Sequence, residues 1–483
     1  MKINNEMVLG VIAELEQRLP VDQYELFGIK VWPYIRTSLK FKFDSYAAVA
    51  AKSQRPDFSK PARYSRVQLL KTLFQCATRF PLLSLLRSRK TDVVFLSPTY
   101  FNLELEGEYV DRITVGIEKR LQEEGVKCAY LKYEVFSAKQ SPFGSDITSL
   151  TYGLNELCRY FISRQRDKVP SIAFVDDIND QLRAMGSPVI LEHHKVFFEF
   201  KRLIWLARSF STILFFFHAK RVIIPVYYNY VGLAMCLACK WRGTESIEYQ
   251  HGAQSRFHVT YNDWNTIPSN GYELLPDTFW VWGETNRQRI ERWAKRQGAD
   301  VFVTGNAWLD YQQKMLNLPS QPPPLKAAKQ QGKRVAVLCL QRFPEHYKSF
   351  VSDAIFASDG WLWVVKEHPA YPLDKDSTER FFGQGIQQDK VIIERSVDTY
   401  TLLRYANVCV TAFSSVAFES EYYGVPSILF HRDGYEGHSD YIDREAGIRR
   451  ATNVDELLDN LHKLDGYKPG KNTYIRGFFA LPQ

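Results

Sequence analysis

The sequence predicts an α/β protein of two successive units, each a parallel sheet flanked by helices. Short β-branched and aromatic runs recur along most of the chain, and helical apolar spacing follows each of them. Strands alternating with helices feed a parallel sheet, because parallel neighbours need a crossover connection. A Leu-Pro-Ser-Gln-Pro-Pro-Pro stretch and a polar Lys/Gln run interrupt the alternation over 317–333. That composition predicts a linker, extended at its prolines and solvated after them. A length of 483 residues suits about two to four domains.

In chain order, 1–90 is expected to be a helical, basic N-terminal extension. Val8, Val11, Ile12, Leu15 and Leu19 recur at helical steps. The first α/β unit occupies 91–316. Its strands are expected at 92–98, 126–133, 221–228, 246–249, 278–282 and 301–304, with helices at 113–124, 231–241 and 285–297. The second unit, 334–483, restarts the pattern. Strands fall at 335–340, 361–366, 391–394, 408–411 and 427–430, and helices at 345–357, 399–405, 415–423 and 454–463. Two such units imply a cleft between domains, where strand carboxyl ends usually present ligand-binding residues.

Composition narrows the function. The chain carries 62 Lys+Arg against 54 Asp+Glu, a net charge of +8, but residues 51–90 alone hold ten basic side chains and one acid. The rest is nearly neutral, unlike a nucleic-acid-coating protein, so no nucleic-acid partner is expected. The most apolar run, 197–217, is broken by Glu199, Lys201, Arg202 and Arg208, which argues against a membrane span. No signal peptide is expected from a start containing Glu6, Glu14 and Glu16, and seven scattered cysteines suit a reduced, cytoplasmic protein. Cys236 and Cys239 form a lone CxxC in an apolar helix, expected to be buried thiols rather than half a zinc site.

Four places follow strand ends in positions suited to chemistry. Lys366-Glu367-His368-Pro369 sets an imidazole at a sheet edge, because proline disfavours helix at the preceding residue. His368 there donates a hydrogen bond to a phosphate oxygen or protonates a leaving group, or is a loop histidine satisfying carbonyls. Thr411-Ala412-Phe413-Ser414-Ser415 opens a helix with paired hydroxyls and free amides, an anion site or a plain N-cap. Glu419 one turn on is a ribose-hydroxyl acceptor or a solvated helix residue. Glu248-Tyr249-Gln250-His251-Gly252 places polar groups and a glycine after a strand, suggesting a binding loop with close backbone approach. Glu104, Glu106, Glu108 and Asp111 crowd one loop that either contains a general base or is simply solvated. There is no P-loop or GxGxxG signature, and Asp374-Lys375-Asp376 lies in a polar loop with little claim to a metal.

Together these elements resemble the bacterial surface-polysaccharide glycosyltransferases of the two-lobed GT-B fold. That group includes capsule and lipopolysaccharide enzymes, among them sialyl-, polysialyl- and Kdo transferases. The resemblance covers 91–465. It rests on the strand–His368-Pro369 element, the strand–Ser414-Ser415–helix element with Gly424-Val425-Pro426 behind it, Gln250-His251-Gly252, Trp280-Val281-Trp282-Gly283-Glu284 and Thr304-Gly305-Asn306. It implies two Rossmann-like lobes, a donor lobe after the linker, and an inverting, metal-independent transfer of a Kdo- or sialic-acid-like sugar from a CMP-linked donor. By that resemblance Gln341, Arg342, Lys366, Pro369, Ser414, Ser415 and Glu419 hold the donor. His368, His251 and an acid, Glu106 or Asp111, form the catalytic set, and Gln250 and Gly252 line the acceptor loop. No cofactor is implied beyond the nucleotide-sugar, and the acceptor is a glycan or glycolipid. Two alternatives are a UDP-sugar 2-epimerase of the same fold, disfavoured by the N-terminal extension, and a non-catalytic scaffold of polysaccharide assembly. The basic stretch 51–90 is expected to rest on the anionic inner face of the cytoplasmic membrane.

Overall fold

The computed structural model describes residues 4–50, 70, 90–105, 107–133, 157, 160, 169–315, 320–341, 347–368, 372–442, 447–464, 466–468, 474–476 and 478–482. Residues 51–69 and 71–89, which carry most of the basic stretch, lie outside them. Among the described residues no helix is long and apolar enough to cross a membrane.

Two six-stranded sheets dominate, with short hairpins β1–β2 (Glu25–Leu26, Ile29–Lys30) and β4–β5 (Asn102–Leu105, Glu108–Asp111) beside them. The first contains β3 (Val93–Pro98), β6 (Cys128–Tyr133), β7 (Arg221–Ile224), β8 (Glu245–Tyr249), β9 (Thr278–Val281) and β10 (Asp300–Val303) in the order β10-β9-β8-β7-β3-β6. The second contains β11 (Arg334–Cys339), β12 (Trp361–Lys366), β13 (Val391–Glu394), β14 (Val408–Thr411), β15 (Ser427–Leu429) and β16 (Ile448–Arg450) in the order β13-β12-β11-β14-β15-β16. Neighbouring strands pair in parallel throughout the second sheet and from β9 to β6 in the first. All six positions are buried in β3 and in β12, as expected of strands covered on both faces. The expected fold class, two Rossmann-like parallel sheets, is what the chain adopts. Each sheet reverses its strand order once, between β3 and β7 in the first and between β11 and β14 in the second.

The compact units divide differently from the expected boundaries. One takes the described residues as far as His251, with Phe257–Trp280 and Gln288–Phe302; the other takes Gly252–Arg256, Val281–Arg287 and Val303 onward. Helices α1 (Asn5–Arg18) and α2 (Trp32–Ala50) are helical as expected, but they belong to the core of the first unit rather than extending from it. Arg36 and Glu16 form an ion pair with no solvent exposure. Arg36 also donates to the Val259 carbonyl at 2.6 Å and the Asn262 carbonyl at 2.5 Å, with its guanidinium 4.3 Å from the Trp264 ring centre. Glu16 in turn accepts from the Trp32 indole and the Asn265 amide, both at 2.9 Å. Two helices at the start of the chain thereby fasten the loop that follows β8.

The expected linker is also corrected. Residues 323–330 form a helix, Pro323–Gln330, entered at prolines whose missing N–H costs nothing in a first turn. Leu325 and Ala328 pack into the second unit's core with Val335, Val337, Leu362 and Leu402. At the end of the chain, Arg476 N donates to the Trp282 carbonyl at 2.8 Å and Ala480 N to the Thr304 carbonyl at 2.9 Å. Gly305 adopts φ +87°, and a Cβ there would collide with the Phe478 carbonyl, so glycine is required where this terminal strap crosses.

Candidate functional site

In the second unit, parallel register sets Cys339 beside both Lys366 and Thr411, so the ends of β12, β11 and β14 lie side by side. This edge contains the point where strand order reverses, the usual ligand position in an open α/β sheet. Lys366 ends β12, Gln341 and His368 follow β11 and β12, and Ser414, Ser415 and Glu419 follow β14, while Arg342 and Pro369 lie outside the described residues. Gln341 Nε2 bridges the reversal by donating to Thr411 Oγ1 at 3.2 Å, and Thr411 donates to the Cys339 carbonyl at 2.8 Å. Lys366 is 8% exposed, and its ammonium donates to the Arg395 carbonyl at 3.1 Å. No carboxylate forms an ion pair with it among the described residues. His368 is half-buried just beyond.

The serine element differs from expectation. The helix it opens, Val416–Glu419, is a single turn continued by a 3-10 segment, Ser420–Tyr423. So short a helix offers little dipole, and any anion must be held by side chains and loop amides. Ser414 Oγ accepts from Val416 N at 3.4 Å, and Ser415 Oγ donates to Glu419 Oε1 at 2.9 Å. Glu419 is buried rather than solvated, and its other oxygen accepts from Tyr400 at 2.9 Å. Glu367, not singled out from sequence, takes a two-pronged contact from Arg395 at 2.7 and 3.2 Å and accepts from Leu373 N at 3.2 Å, which fixes the loop after β12. Asp374 caps the helix Lys375–Gln387 through Ser377 N at 2.6 Å, which accounts for that acid without a metal.

In the first unit the corresponding edge is built where β3, β7 and β8 end. Gln250 is fully buried, and its amide donates to the Trp280 carbonyl at 2.9 Å. His251 is half-buried, with its ring centre 5.9 Å from Phe101 and 6.2 Å from Tyr228. One ring nitrogen bonds the Pro225 carbonyl, while Nδ1 is buried with no partner among the described residues. This places the proton on Nε2 and leaves a lone pair on Nδ1. Burial, with Arg112 adding repulsion, pushes the His251 pKa down to about 4. Gly252 has no left-handed backbone and open space where a Cβ would lie, so the fold itself does not require glycine there.

Behind His251 lies a polar aromatic cluster that sequence reasoning left unassigned. Glu248 is fully buried, accepts from Tyr261 Oη at 2.6 Å, and keeps Oε2 without a partner among the described residues. Burial raises its pKa well above the ordinary value, which favours the protonated form. His258, pushed down to about 3 chiefly by burial and then by Lys40, stands 5.2 Å from Tyr228 and 4.7 Å from Tyr261. Glu248 was visible in the motif that contains His251, but its burial was not.

Of the candidate bases, Glu106 lies outside the described residues and Glu104 is exposed on the β4–β5 hairpin. Asp111 does not fit a general base. It is 1% exposed, ion-paired to Lys132, bonded by Ser97, and accepts from Ile113 N at 2.9 Å and Thr114 N at 3.1 Å. Burial pulls its pKa upward, but Lys132, Ser97 and the Ile113 amide together hold the carboxyl below its ordinary range. With its lone pairs engaged and its charge stabilised, it has little capacity to take a proton.

Cys236 and Cys239 are buried free thiols in the helix Tyr230–Arg242, each pushed up in pKa by burial. No protein-family model and no curated protein matches the chain. Among solved structures it is similar to the UDP-GlcNAc 2-epimerase of Neisseria meningitidis bound to UDP-GlcNAc, at 10% identity over 80% of this chain and 96% of that one, TM-score 0.48. The UDP-GlcNAc 2-epimerase of Methanocaldococcus jannaschii matches at 13% identity, 80% and 96% coverage and TM-score 0.46. The calicheamicin glycosyltransferase CalG4 matches at 13%, 77% and 89%, TM-score 0.41. Likenesses at this level assign neither a reaction nor a substrate.

Proposed function

We propose that the protein is an enzyme acting on a nucleotide-linked sugar; in the second unit the sheet edge is the phosphate-binding element, and in the first unit His251 is the acceptor of a sugar hydroxyl's proton. The observation that carries this is Lys366. A nearly buried ammonium at a strand carboxyl end, beside the strand-order reversal and with no carboxylate pairing it among the described residues, is placed to meet an anion. Gln341, His368 and Ser414 share that edge and supply polar groups to phosphate oxygens.

In the transfer reading, an acceptor oxygen bonds to the anomeric carbon as the bond to the nucleotide phosphate breaks. The first unit supplies His251 as acceptor of the hydroxyl proton, and the second supplies Lys366 and His368 as partners of the nucleotide phosphate. A substrate-free pKa of about 4 makes His251 a neutral acceptor, and the negative charge brought by the substrate raises its basicity when it is needed. A CMP-linked Kdo- or sialic-acid-like donor and a surface glycan or glycolipid acceptor remain the preferred chemistry. Residues 51–90, by their sequence, provide the basic contact to an anionic membrane surface.

The second reading is 2-epimerisation of a UDP-sugar. It is favoured by the N-terminal helices being core elements of the first unit, which removes the objection that they form an appendage foreign to a free epimerase. Incubating the full chain with CMP-, UDP- and GDP-sugars, with and without glycan acceptor, separates the two. Acceptor-dependent nucleotide release establishes transfer, and sugar interconversion without acceptor establishes epimerisation. Neither activity in the chain, or activity unchanged by His251→Gln and Lys366→Met, refutes the site.

A further inference from the structure

We propose that Arg112 is a specificity residue that binds an anionic oxygen group, carboxylate or phosphate, on the sugar whose hydroxyl reaches His251. The proposal rests on the reading of His251 given above.

Arg112 is exposed at the base of the β4–β5 hairpin. Its guanidinium lies 5.9 Å from the ring centre of Phe101, and the Phe101 ring lies 5.9 Å from that of His251. It is near enough to His251 to disfavour a proton on the imidazole. No carboxylate pairs with Arg112 among the described residues. An exposed arginine would ordinarily sample many positions, but this one has a fixed base. Its backbone N–H donates to the Phe101 carbonyl at 3.1 Å. The turn that carries it is fastened by Asp111, whose Oδ1 takes the amides of Ile113 and Thr114 and whose Oδ2 takes Ser97 and Lys132. Ser97 and Lys132 are register partners on β3 and β6, so the turn is anchored directly to the sheet.

A fully buried ion pair is a poor source of stability, because desolvation offsets most of the attraction. What the Asp111–Lys132 pair does here is fix the turn from which Arg112 extends beside the imidazole. Asp111 is therefore a positioning residue for Arg112. A guanidinium fork pairs two oxygens of a carboxylate or phosphate. His251 Nδ1 has a lone pair with no partner among the described residues, and the Phe101 and Tyr228 rings pack beside the imidazole. An acidic or phosphorylated sugar presents that combination of groups, and a neutral sugar lacks the anion.

The test is an NMR titration of the full chain, following the His251 imidazole, assigned by its disappearance in His251→Gln. The probes are glucuronate, glucose 6-phosphate and glucose. Glucuronate or glucose 6-phosphate should shift the signal, and which one binds more tightly identifies the source of the anion; glucose should bind at least tenfold more weakly than either. Arg112→Gln should weaken the anionic probe at least tenfold, and Arg112→Lys, which keeps charge but loses the fork, should fall between. Equal affinity in wild type and Arg112→Gln, or an equal response to glucose, overturns the proposal. If the chain shows Arg112-dependent anion binding but no nucleotide-sugar turnover, only the reaction reading falls. If it turns over and Arg112→Gln leaves KM for acidic and neutral acceptors alike unchanged, only this proposal falls.

Discussion

Glu421→Gln should flatten the pH dependence of stability in the second unit. Glu421 sits in the 3-10 segment after the Ser414-Ser415 turn, 4% exposed, with Oε2 accepting from Tyr441 Oη at 2.8 Å and Tyr474 N at 3.0 Å. Burial, only partly offset by the Tyr474 amide, Tyr441 and the Gly447 backbone, pushes its pKa from 4.5 to about 7. Below pH 4.5 the acid is protonated folded and unfolded, and the group contributes no penalty. Between 4.5 and 7 the unfolded chain releases the proton while the folded chain keeps it, so stability falls as pH rises. Above about 7 the full penalty applies. A shift of roughly 2.5 pKa units at 1.36 kcal/mol each corresponds to about 3 kcal/mol. Glutamine keeps an acceptor for Tyr441 and Tyr474 but never ionises. Urea unfolding of both proteins at pH 4.5 and pH 8 measures the effect, and other titrating groups cancel in the difference. The variant should gain about 3 kcal/mol relative to wild type on going from pH 4.5 to 8. A relative stability that stays constant within about 0.5 kcal/mol across that range would refute the reasoning.

Three further outcomes follow from the packing and the site. Arg36→Met leaves Glu16 buried without its cation, and urea unfolding of the first unit should show a loss of about 3–5 kcal/mol; an appended helix would lose almost nothing. Leu325→Ala should cost the second unit about 2–5 kcal/mol because the helix Pro323–Gln330 is part of its core, whereas a solvated linker would tolerate it within about 0.5 kcal/mol. Lys366→Met removes a charge-assisted contact worth about 1.5–3 kcal/mol, so calorimetry with CMP and UDP should show roughly 10- to 100-fold weaker binding of whichever nucleotide binds wild type, with Lys366→Arg retaining part of it.

Residues at strand ends were legible because a parallel sheet puts its functional positions at its carboxyl edge whatever the side chains do. The places of His251, Lys366, His368, Ser414 and Ser415 at or just after strand carboxyl ends were read that way, from a β-branched run and the polar residues after it. The roles of the acids were not legible. Asp111, Glu248 and Glu419 look alike in sequence. Their partners arise from distant segments: Lys132 on a neighbouring strand, Tyr261 in a loop, Tyr400 on a separate helix. Whether a carboxyl is an ion pair, a neutral acid or a hydrogen-bond hub depends on burial and those partners.

The sequence by itself determined the class of fold, the two parallel sheets and most of their strands, because periodicity is a local property and alternation leaves few topologies open. Tertiary structure decided what belonged to what. The apolar face of α1 announced a helix, but nothing announced that Arg36 on α2 would fasten a loop more than two hundred residues later. The proline-rich segment announced a break, yet two residues inside it, Leu325 and Ala328, found an uncovered patch of sheet, and burying them outweighed the solvation of the lysines and glutamines around them. Helix and strand follow from spacing along the chain; membership of a core follows from which surfaces meet.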